Sequence, residues 1–237
     1  MSKLVFIFLL SSSINALTLN FAATEWCPYT CSKMPSQGIA VEYLKVVFKE
    51  VGVDIAVRIL PWKRAINLVN RGELDGLLTA VESEAPSLVF TNQPTMTYRS
   101  CAFTDDPNVK KIQFKDIPNH VVGVLAGYSY GVEFDDFFLN NKNKTDSALV
   151  IKGNDGLDRL YRLLKKKRIN FFLEEEKVAR YSIKQTLYPV LCGKENPFYI
   201  GLSPKVIDVT DLISRLDAQL KKSGNKLNSI LKKHGLN

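Results

Sequence analysis

Two sets of alternating strand and helix patterns run along the chain. In the first set, "LTLNFAAT" alternates as a short strand, and a stripe that includes Ile39, Tyr43 and Val47 predicts a helix ending at Gly52. A strand "DIAVRILP", a helix "WKRAINLVNRG" and a strand "LDGLLTAV" follow. The order β-α-β-α-β predicts a mostly parallel sheet with helices packed against it.

The pattern changes in "LVFTNQPTMTYRSCAFTDD", which predicts two extended pieces around Pro94. A second α/β set then begins with strands "HVVGVLAG", "ALVIKG" and "INFFLEE", each followed by a helical segment. "YPVLCG" and "FYIGLSP" are extended, and the tail from Thr210 to His234 predicts two helices broken near Ser223. Two similar units joined by extended strands predict two lobes with a cleft between them.

The N-terminus has the pattern of a secretory signal peptide. Lys3 precedes an apolar run, Leu4–Leu10, and small polar residues lead to Ala16, after which we expect cleavage. The alternative is a buried first strand. The apolar run is too short to span a bilayer, so we expect an exported, periplasmic protein.

Composition and charge narrow the function classes. Hydrophobic residues make up 46% and charged residues 24% of the 237 residues, which is typical of a globular protein and not of a disordered one. The net charge is +8. However, the most basic run, "LLKKKRIN", has no aromatic residues among its cations, which favours a solvated helix end over a nucleic-acid site. We expect a monomer that does not bind nucleic acid.

Export changes the interpretation of the four cysteines, Cys27, Cys31, Cys101 and Cys192. In an oxidising compartment they are disulfide candidates, and the sequence leaves all three connectivities open. The pairs Cys27–Cys31 and Cys101–Cys192 form our working hypothesis. The two histidines lie far from this spacing, so we expect no metal site and no cofactor.

Polar and aromatic side chains follow the ends of several predicted strands, where open α/β sheets bind ligands. These candidates are Glu25, Trp26, Tyr29, Trp62, Arg64, Thr79, Tyr128, Ser129, Tyr130, Glu174 and Glu175. Each has an alternative interpretation. The aromatic residues can cap a sheet edge or bury in the core, Arg64 can be a surface charge, and the two acids can begin a solvated helix. In the other interpretation, the aromatic residues form a ligand platform, the "AGYSYG" turn offers an anion site at a helix N-terminus, and the acids hold an ammonium group.

Several of these segments together resemble a known family. "EWCPYT", "LPWKRA", "GELDG" and "AGYSYG" are the most specific pieces, and the similarity covers nearly the whole chain after the signal peptide. The chain resembles the extracellular solute-binding proteins of family 3, the amino-acid-binding type of periplasmic binding protein. The resemblance implies an α/β, two-lobed periplasmic-binding-protein-like fold (type II), in which two crossover strands join the lobes and a ligand cleft separates them. Lobe 1 would comprise residues 17–99 and 192–237, and lobe 2 residues 100–191.

The resemblance also implies roles for individual residues. Trp26 and Tyr29 match an aromatic wall, Thr79 and the pair Ser129 and Tyr130 match groups that meet a ligand carboxylate, and Glu175 matches the acid that binds an α-amino group. The family's amino-acid binders carry a carboxylate-clamping Arg, and here "ESEAPS" has Ala85 and Pro86 at about that place. Either Arg64 or Arg99 replaces that clamp, or the ligand is not an α-amino acid.

We therefore expect a protein that captures a small polar ligand, an amino acid or a related metabolite, for ABC-type transport or for sensing. Its partners would be the ligand and a membrane permease or sensor. The sequence shows no Ser-His-Asp or Cys-His arrangement, so we expect no catalytic residues and no enzyme activity. The alternatives are a dehydratase of the same fold, with Glu175 as base, and a module that presents the solute to a membrane receptor.

Overall fold

The computed structural model describes residues 17–140, 148–153 and 155–236, so the predicted signal peptide lies outside the described residues. In chain order the elements are β1 (Leu17–Ala23), α1 (Ile39–Glu50), β2 (Val53–Ile59), α2 (Trp62–Asn70), β3 (Gly76–Ala80), β4 (Val89–Phe90), β5 (Met96–Tyr98), β6 (Ser100–Thr104), β7 (Val122–Leu125), α3 (Val132–Asn140), β8 (Ala148–Ile151), α4 (Gly156–Lys165), β9 (Phe171–Glu175), α5 (Glu176–Ser182), β10 (Tyr188–Cys192), β11 (Asn196–Leu202), α6 (Val209–Leu220) and α7 (Gly224–Lys233). Short 3₁₀ turns lie at Glu82–Glu84 and Phe114–Asn119.

The strands form two separate sheets. The first has the order β2-β1-β3-β11-β4, with β5 also paired to β11. Its β1 pairs in parallel with β2 and β3, whereas β11 runs antiparallel to its neighbours. The second has the order β10-β6-β9-β7-β8, in which β7 is parallel to β8 and β9, and β6 is antiparallel to β9 and β10. The architecture is mixed α/β, as the strand and helix patterns predict. The prediction of a mostly parallel sheet is wrong, because within the first sheet only β1, β2 and β3 pair in parallel and β11 enters it antiparallel to β3, β4 and β5.

The first sheet packs on helices through an apolar core. The inward residues of β1 include Leu19 and Phe21, and the ring of Phe21 contacts that of Phe48 in α1 edge to face, with centroids 5.1 Å apart. Tyr43 and Leu44 of the same helix are buried in this core. The helical stripe seen in the sequence therefore forms the face of α1 that packs against the sheet.

The chain crosses between the sheets at two places. Arg99 separates β5, in the first sheet, from β6, in the second, and residues 193–195 separate β10 from β11. The sequence pattern predicts two extended pieces around Pro94. The structure has three strands there, because β4 and β5 pair with β11 whereas β6 pairs within the other sheet.

Both disulfides of the working hypothesis are present. Cys27 and Cys31 close a five-residue turn, and Cys101 of β6 bonds Cys192 of β10, its partner in strand register. The second bond joins the two strands immediately beside the two crossovers. It therefore fixes the spacing of the connections between the sheets. None of the described helices has the length and apolar character that a membrane span requires.

Candidate ligand-binding cleft

A narrow cavity lies between the two sheets and takes side chains from both. The space that the centre of a water molecule can occupy in this cavity is about 30 Å³. The residues that line it are Thr24, Trp26, Trp62, Thr79, Glu84, Tyr98, Ser100, Tyr128, Ser129, Tyr130, Glu174, Glu175 and Phe198. Eight of the residues proposed from the sequence are in this set: Trp26, Trp62, Thr79, Tyr128, Ser129, Tyr130, Glu174 and Glu175.

The aromatic turn after β1 is held by backbone hydrogen bonds. Trp26 N–H donates to the Thr30 carbonyl at 2.7 Å, and Thr30 N–H donates back to the Trp26 carbonyl at 3.1 Å. The turn also satisfies the N-terminus of α1, because the N–H groups of Ile39 and Ala40 donate to carbonyls of the turn. The turn, its disulfide and the start of α1 therefore form one unit that places Trp26 at the cavity.

Trp26 and Tyr29 have different positions in this unit. Their rings stack with centroids 4.9 Å apart, and the ring of Phe198 meets Trp26 edge to face at 5.3 Å. Trp26 lines the cavity, whereas Tyr29 is buried behind it. The Tyr29 hydroxyl donates to Glu175 Oε1 at 3.3 Å. Tyr29 therefore supports the wall that Trp26 forms.

Glu174 and Glu175 end β9 with both side chains buried. Glu174 Oε1 accepts hydrogen bonds from the Trp26 indole N–H at 2.9 Å and from Glu175 N–H at 2.8 Å. Glu175 Oε2 accepts from Val178 N–H at 2.8 Å and so caps α5. Burial raises the pKa of each carboxyl from its ordinary 4.5 to about 7, although these hydrogen bonds act in the opposite direction.

The loop between β7 and α3 does not offer the open anion site that its sequence predicts. Ser129 N–H donates to Glu84 Oε1 at 2.8 Å, and Tyr130 N–H donates to Asp135 Oδ1 at 2.9 Å. The next two N–H groups along the loop donate to the Ser129 hydroxyl oxygen and to Asn196 Oδ1, each at 3.3 Å. The chain's own acceptors therefore occupy the N–H groups of residues 129–132.

Glu84 is the main site residue that the sequence did not identify. It ends the 3₁₀ turn after β3, and its carboxyl receives hydrogen bonds from Ser129 N–H and the Trp62 indole. Burial raises its pKa to about 8 against those bonds. The other residues missed are Thr24, Tyr98, Ser100 and Phe198. The sequence signal that could have drawn attention to Glu84 is its segment, "ESEAPS", which lacks the Arg that the family's amino-acid binders carry there.

Thr79 has an unusual backbone at the end of β3. Its φ is 54°, a left-handed conformation that is rare for a β-branched residue, and its hydroxyl donates to the carbonyl of Leu78 at 2.6 Å. Strained backbone of this kind concentrates at functional sites. The position of Thr79 in the cavity wall agrees with that tendency.

Four of the residues proposed from the sequence lie outside the cavity: Glu25, Tyr29, Arg64 and Arg99. Arg64 lines a neighbouring groove on the far side of Trp62, and Arg99 pairs with Glu176 near the surface. Glu25 accepts from Ser32 N–H at 3.2 Å. Its carboxylate lies within 4.8 Å of both cysteine sulfurs of the turn, but the disulfide consumes both thiolates, so this group provides no metal ligand set.

Comparisons with known proteins find similarity in three-dimensional structure. No family model and no curated protein matches the sequence. A histidine kinase sensor domain with similarity to periplasmic binding proteins superposes with a TM-score of 0.74 at 15% identity, covering 91% of this chain and 95% of that one. An amino-acid ABC transporter substrate-binding protein from Streptococcus pneumoniae, bound to L-arginine, gives 0.70 at 16% identity, covering 91% and 93%.

A third similar structure is an ancestral amino-acid-binding protein described as a precursor of cyclohexadienyl dehydratase. Its TM-score is 0.69 at 18% identity, covering 91% of this chain and 94% of that one. Identities this low show the fold and leave the ligand open. The fold implied by the sequence resemblance is confirmed: the chain has the two-lobed, type II periplasmic-binding-protein-like fold.

Proposed function

We propose that this protein is an exported solute-binding protein that captures a small polar ligand between two lobes, for transport or sensing. The observation that carries the proposal is a cavity lined by chemically varied side chains from both sheets. Lobe 1 would comprise residues 17–99 and 192–237 and lobe 2 residues 100–191, with the two crossovers as hinge. Transport and sensing both occur among the similar structures, since one belongs to an ABC transporter and another to a histidine kinase.

Hydrogen bonds across the cavity support closure by a hinge motion. Trp26 donates to Glu174, Ser129 N–H donates to Glu84, and the hydroxyls of Thr24 and Tyr128 lie 3.0 Å apart. Each pair joins a residue next to the first sheet to a residue next to the second. Such pairs separate when the lobes open and form when they close, which is how hinged binding proteins enclose a solute.

Thermal unfolding across a chemical panel tests the proposal. The panel holds amino acids, amines, carboxylates and sugars, added to ligand-free protein. A ligand at 100 times its dissociation constant adds about 2.7 kcal/mol of stability, which is roughly 5–11 °C for a chain of this size. Trp26→Phe keeps an aromatic side chain but removes the indole N–H that donates to Glu174, so it should reduce the shift. The absence of any shift across the panel would contradict the proposal.

An enzyme of the same fold is the second candidate. Two adjacent carboxyls with pKa values of about 7 suit proton transfer near neutral pH, and one similar structure is described as the precursor of a dehydratase. Incubating the protein with its tightest ligand and recording the proton NMR spectrum distinguishes the two. An unchanged ligand supports binding alone, and conversion of the ligand supports catalysis.

A further inference from the structure

The cavity wall carries acids and aromatic rings but no basic side chain. Glu84, Glu174 and Glu175 all line it, and within the described part of the chain no Lys, Arg or His does. Lys177 acts on Glu175 electrostatically, but it is not among the lining residues. The cavity therefore carries excess negative charge whenever its carboxyls ionise.

Glu174 has one side-chain oxygen that accepts no hydrogen bond from the described residues. Its Oε1 atom accepts two hydrogen bonds. Its Oε2 atom is buried and has no hydrogen-bond partner among residues 17–140, 148–153 and 155–236. The residue is only 2% exposed, and it lines the cavity. Glu175, in contrast, uses one oxygen for Tyr29 and the other to cap α5. A buried carboxylate oxygen without a partner is costly, so Oε2 is the acceptor that a ligand donor would satisfy.

Among the described residues, the same wall has hydroxyl groups but no cationic side chain to pair with a carboxylate. The two arginines considered from the sequence, Arg64 and Arg99, lie outside the cavity. The N–H groups of residues 129–132 donate to acceptors of the chain, among them the carboxyls of Glu84 and Asp135. Inside the cavity, a ligand carboxylate would therefore approach three acids, and none of the described residues that line the cavity carries a positive charge. Like charges at such short range in a buried site are strongly unfavourable.

Aromatic side chains form much of the remaining surface. Trp26, Trp62, Tyr128 and Phe198 all line the cavity. Aromatic faces attract organic cations through their quadrupoles. A Ca²⁺ ion instead needs six to eight oxygen ligands, whereas Glu174 Oε1 and both oxygens of Glu175 already accept hydrogen bonds from the chain. The wall is therefore suited to a nitrogen cation with an apolar body.

We propose that the cleft binds a small organic cation, an amine or guanidine that carries no carboxylate beside its charged group, and that Glu174 Oε2 accepts a hydrogen bond from it. This inference rests on the proposed function, since it names the ligand class of the same cleft. Glu175 and Glu84 supply further negative charge, and Trp26 and Trp62 supply the aromatic faces.

Matched ligand pairs test the inference on the unmodified protein. Agmatine with arginine, cadaverine with lysine, and phenethylamine with phenylalanine each compare an amine with the amino acid that adds only a carboxylate. Putrescine, spermidine and choline extend the cation set, and calcium chloride tests for a metal site. Isothermal titration calorimetry at pH 8, above the pKa values of about 7 of Glu174 and Glu175, gives each affinity. We expect at least one organic cation to bind, and the amine of its pair to bind at least ten-fold more tightly than the amino acid.

The possible results separate the inference from the proposed function. Amino acids that bind as tightly as their amines, or a response to Ca²⁺ alone, would overturn the inference and leave a ligand-binding cleft. The same conclusion would follow if only carboxylates or sugars shifted the melting temperature in the thermal panel. If no ligand bound, both the inference and the proposed function would be overturned. In variants, Glu174→Gln should weaken the amine at least ten-fold, whereas Glu82→Gln, an exposed neighbour of Glu84 outside the cavity, should leave the affinity unchanged. Equal affinity in Glu174→Gln would contradict the assigned contact, and the ligand pairs remain decisive if that variant does not fold.

Discussion

Replacing Glu174 by Gln should make the ligand-free protein more stable at alkaline pH. The Glu174 carboxyl is 2% exposed, and burial raises its pKa from 4.5 to about 7. A carboxyl whose pKa is higher in the folded state opposes folding once the pH is high enough to ionise it in the unfolded chain. Its contribution is therefore neutral below about pH 4.5, becomes unfavourable as the pH rises, and is fully unfavourable above about pH 7.

The size of this effect follows from the same shift. A change from 4.5 to about 7 corresponds to about 3 kcal/mol of unfolding free energy, or roughly 6–12 °C in melting temperature for a chain of this length. Gln keeps the shape of the side chain and has no charge, so it removes this penalty. Part of this penalty is already present at pH 5, because the carboxyl of the unfolded chain ionises near pH 4.5. The stability of Glu174→Gln relative to the wild type should therefore increase by about 2–3 kcal/mol between pH 5 and pH 8.

Urea unfolding of both proteins at half-unit pH steps measures that difference. The protein must first be freed of bound cation, because a cation beside Glu174 would lower the pKa of the carboxyl and hide the effect. Glu82→Gln is the matched control, since Glu82 is exposed and its profile should run parallel to the wild type. A difference between Glu174→Gln and the wild type that stays constant from pH 5 to pH 8 would refute the reasoning.

Three further predictions concern the covalent links, the aromatic turn and the proton balance. Replacing both Cys101 and Cys192 by Ser should lower the free energy of unfolding in urea by about 4–5 kcal/mol, whereas replacing Cys27 and Cys31 should lower it by about 2 kcal/mol. The first disulfide closes a much longer loop than the second. Equal losses in the two variants would contradict this. Gly38→Ala should lower the free energy of unfolding by about 2 kcal/mol or more and weaken ligand binding. The φ of Gly38 is 105°, and the new methyl group would overlap the Tyr29 carbonyl. A variant as stable as the wild type would contradict this. Amine binding at pH 7 should release protons, so calorimetric heats should differ between buffers of different ionisation enthalpy, and identical heats would contradict this.

Many residues that line the cavity could be predicted because the ends of strands can be located from the sequence pattern. Trp26, Trp62 and Thr79 follow or end three parallel strands of one sheet, and the carboxyl ends of parallel strands meet at one edge. Tyr128 and Glu174 hold equivalent places in the second sheet. Apolar periodicity alone locates these strands, so the residues at their ends could be grouped without knowledge of any contact.

The rest depends on contacts that no local pattern encodes. Tyr98 and Phe198 reach the cavity from antiparallel strands beside the crossovers, where their rings stack with centroids 4.1 Å apart. Glu84 reaches it from a 3₁₀ turn. The sequence around Ser129 predicts an anion site because its N–H groups begin a helix. The acceptors that occupy these N–H groups come from distant parts of the chain. Glu84 is 45 residues from Ser129, and Asn196 is 64 residues from Val132. Partners this distant become visible only in the folded chain.

The hydrogen bonds that close the cleft and the acids inside it act in opposite directions. Trp26 to Glu174, Tyr29 to Glu175 and Ser129 to Glu84 each hold the two sides together, and a net hydrogen bond typically contributes about 0.5–1.5 kcal/mol. If the lobes close as proposed, closure buries three carboxyls whose pKa values are raised to between about 7 and about 8, so their ionisation above those values would favour opening. A bound cation would remove that opposition by stabilising the ionised carboxyls in the closed arrangement. A ligand with a carboxylate of its own would instead add to it. Under the proposed function, the charge of the ligand would therefore decide both whether it binds and whether the lobes stay closed around it.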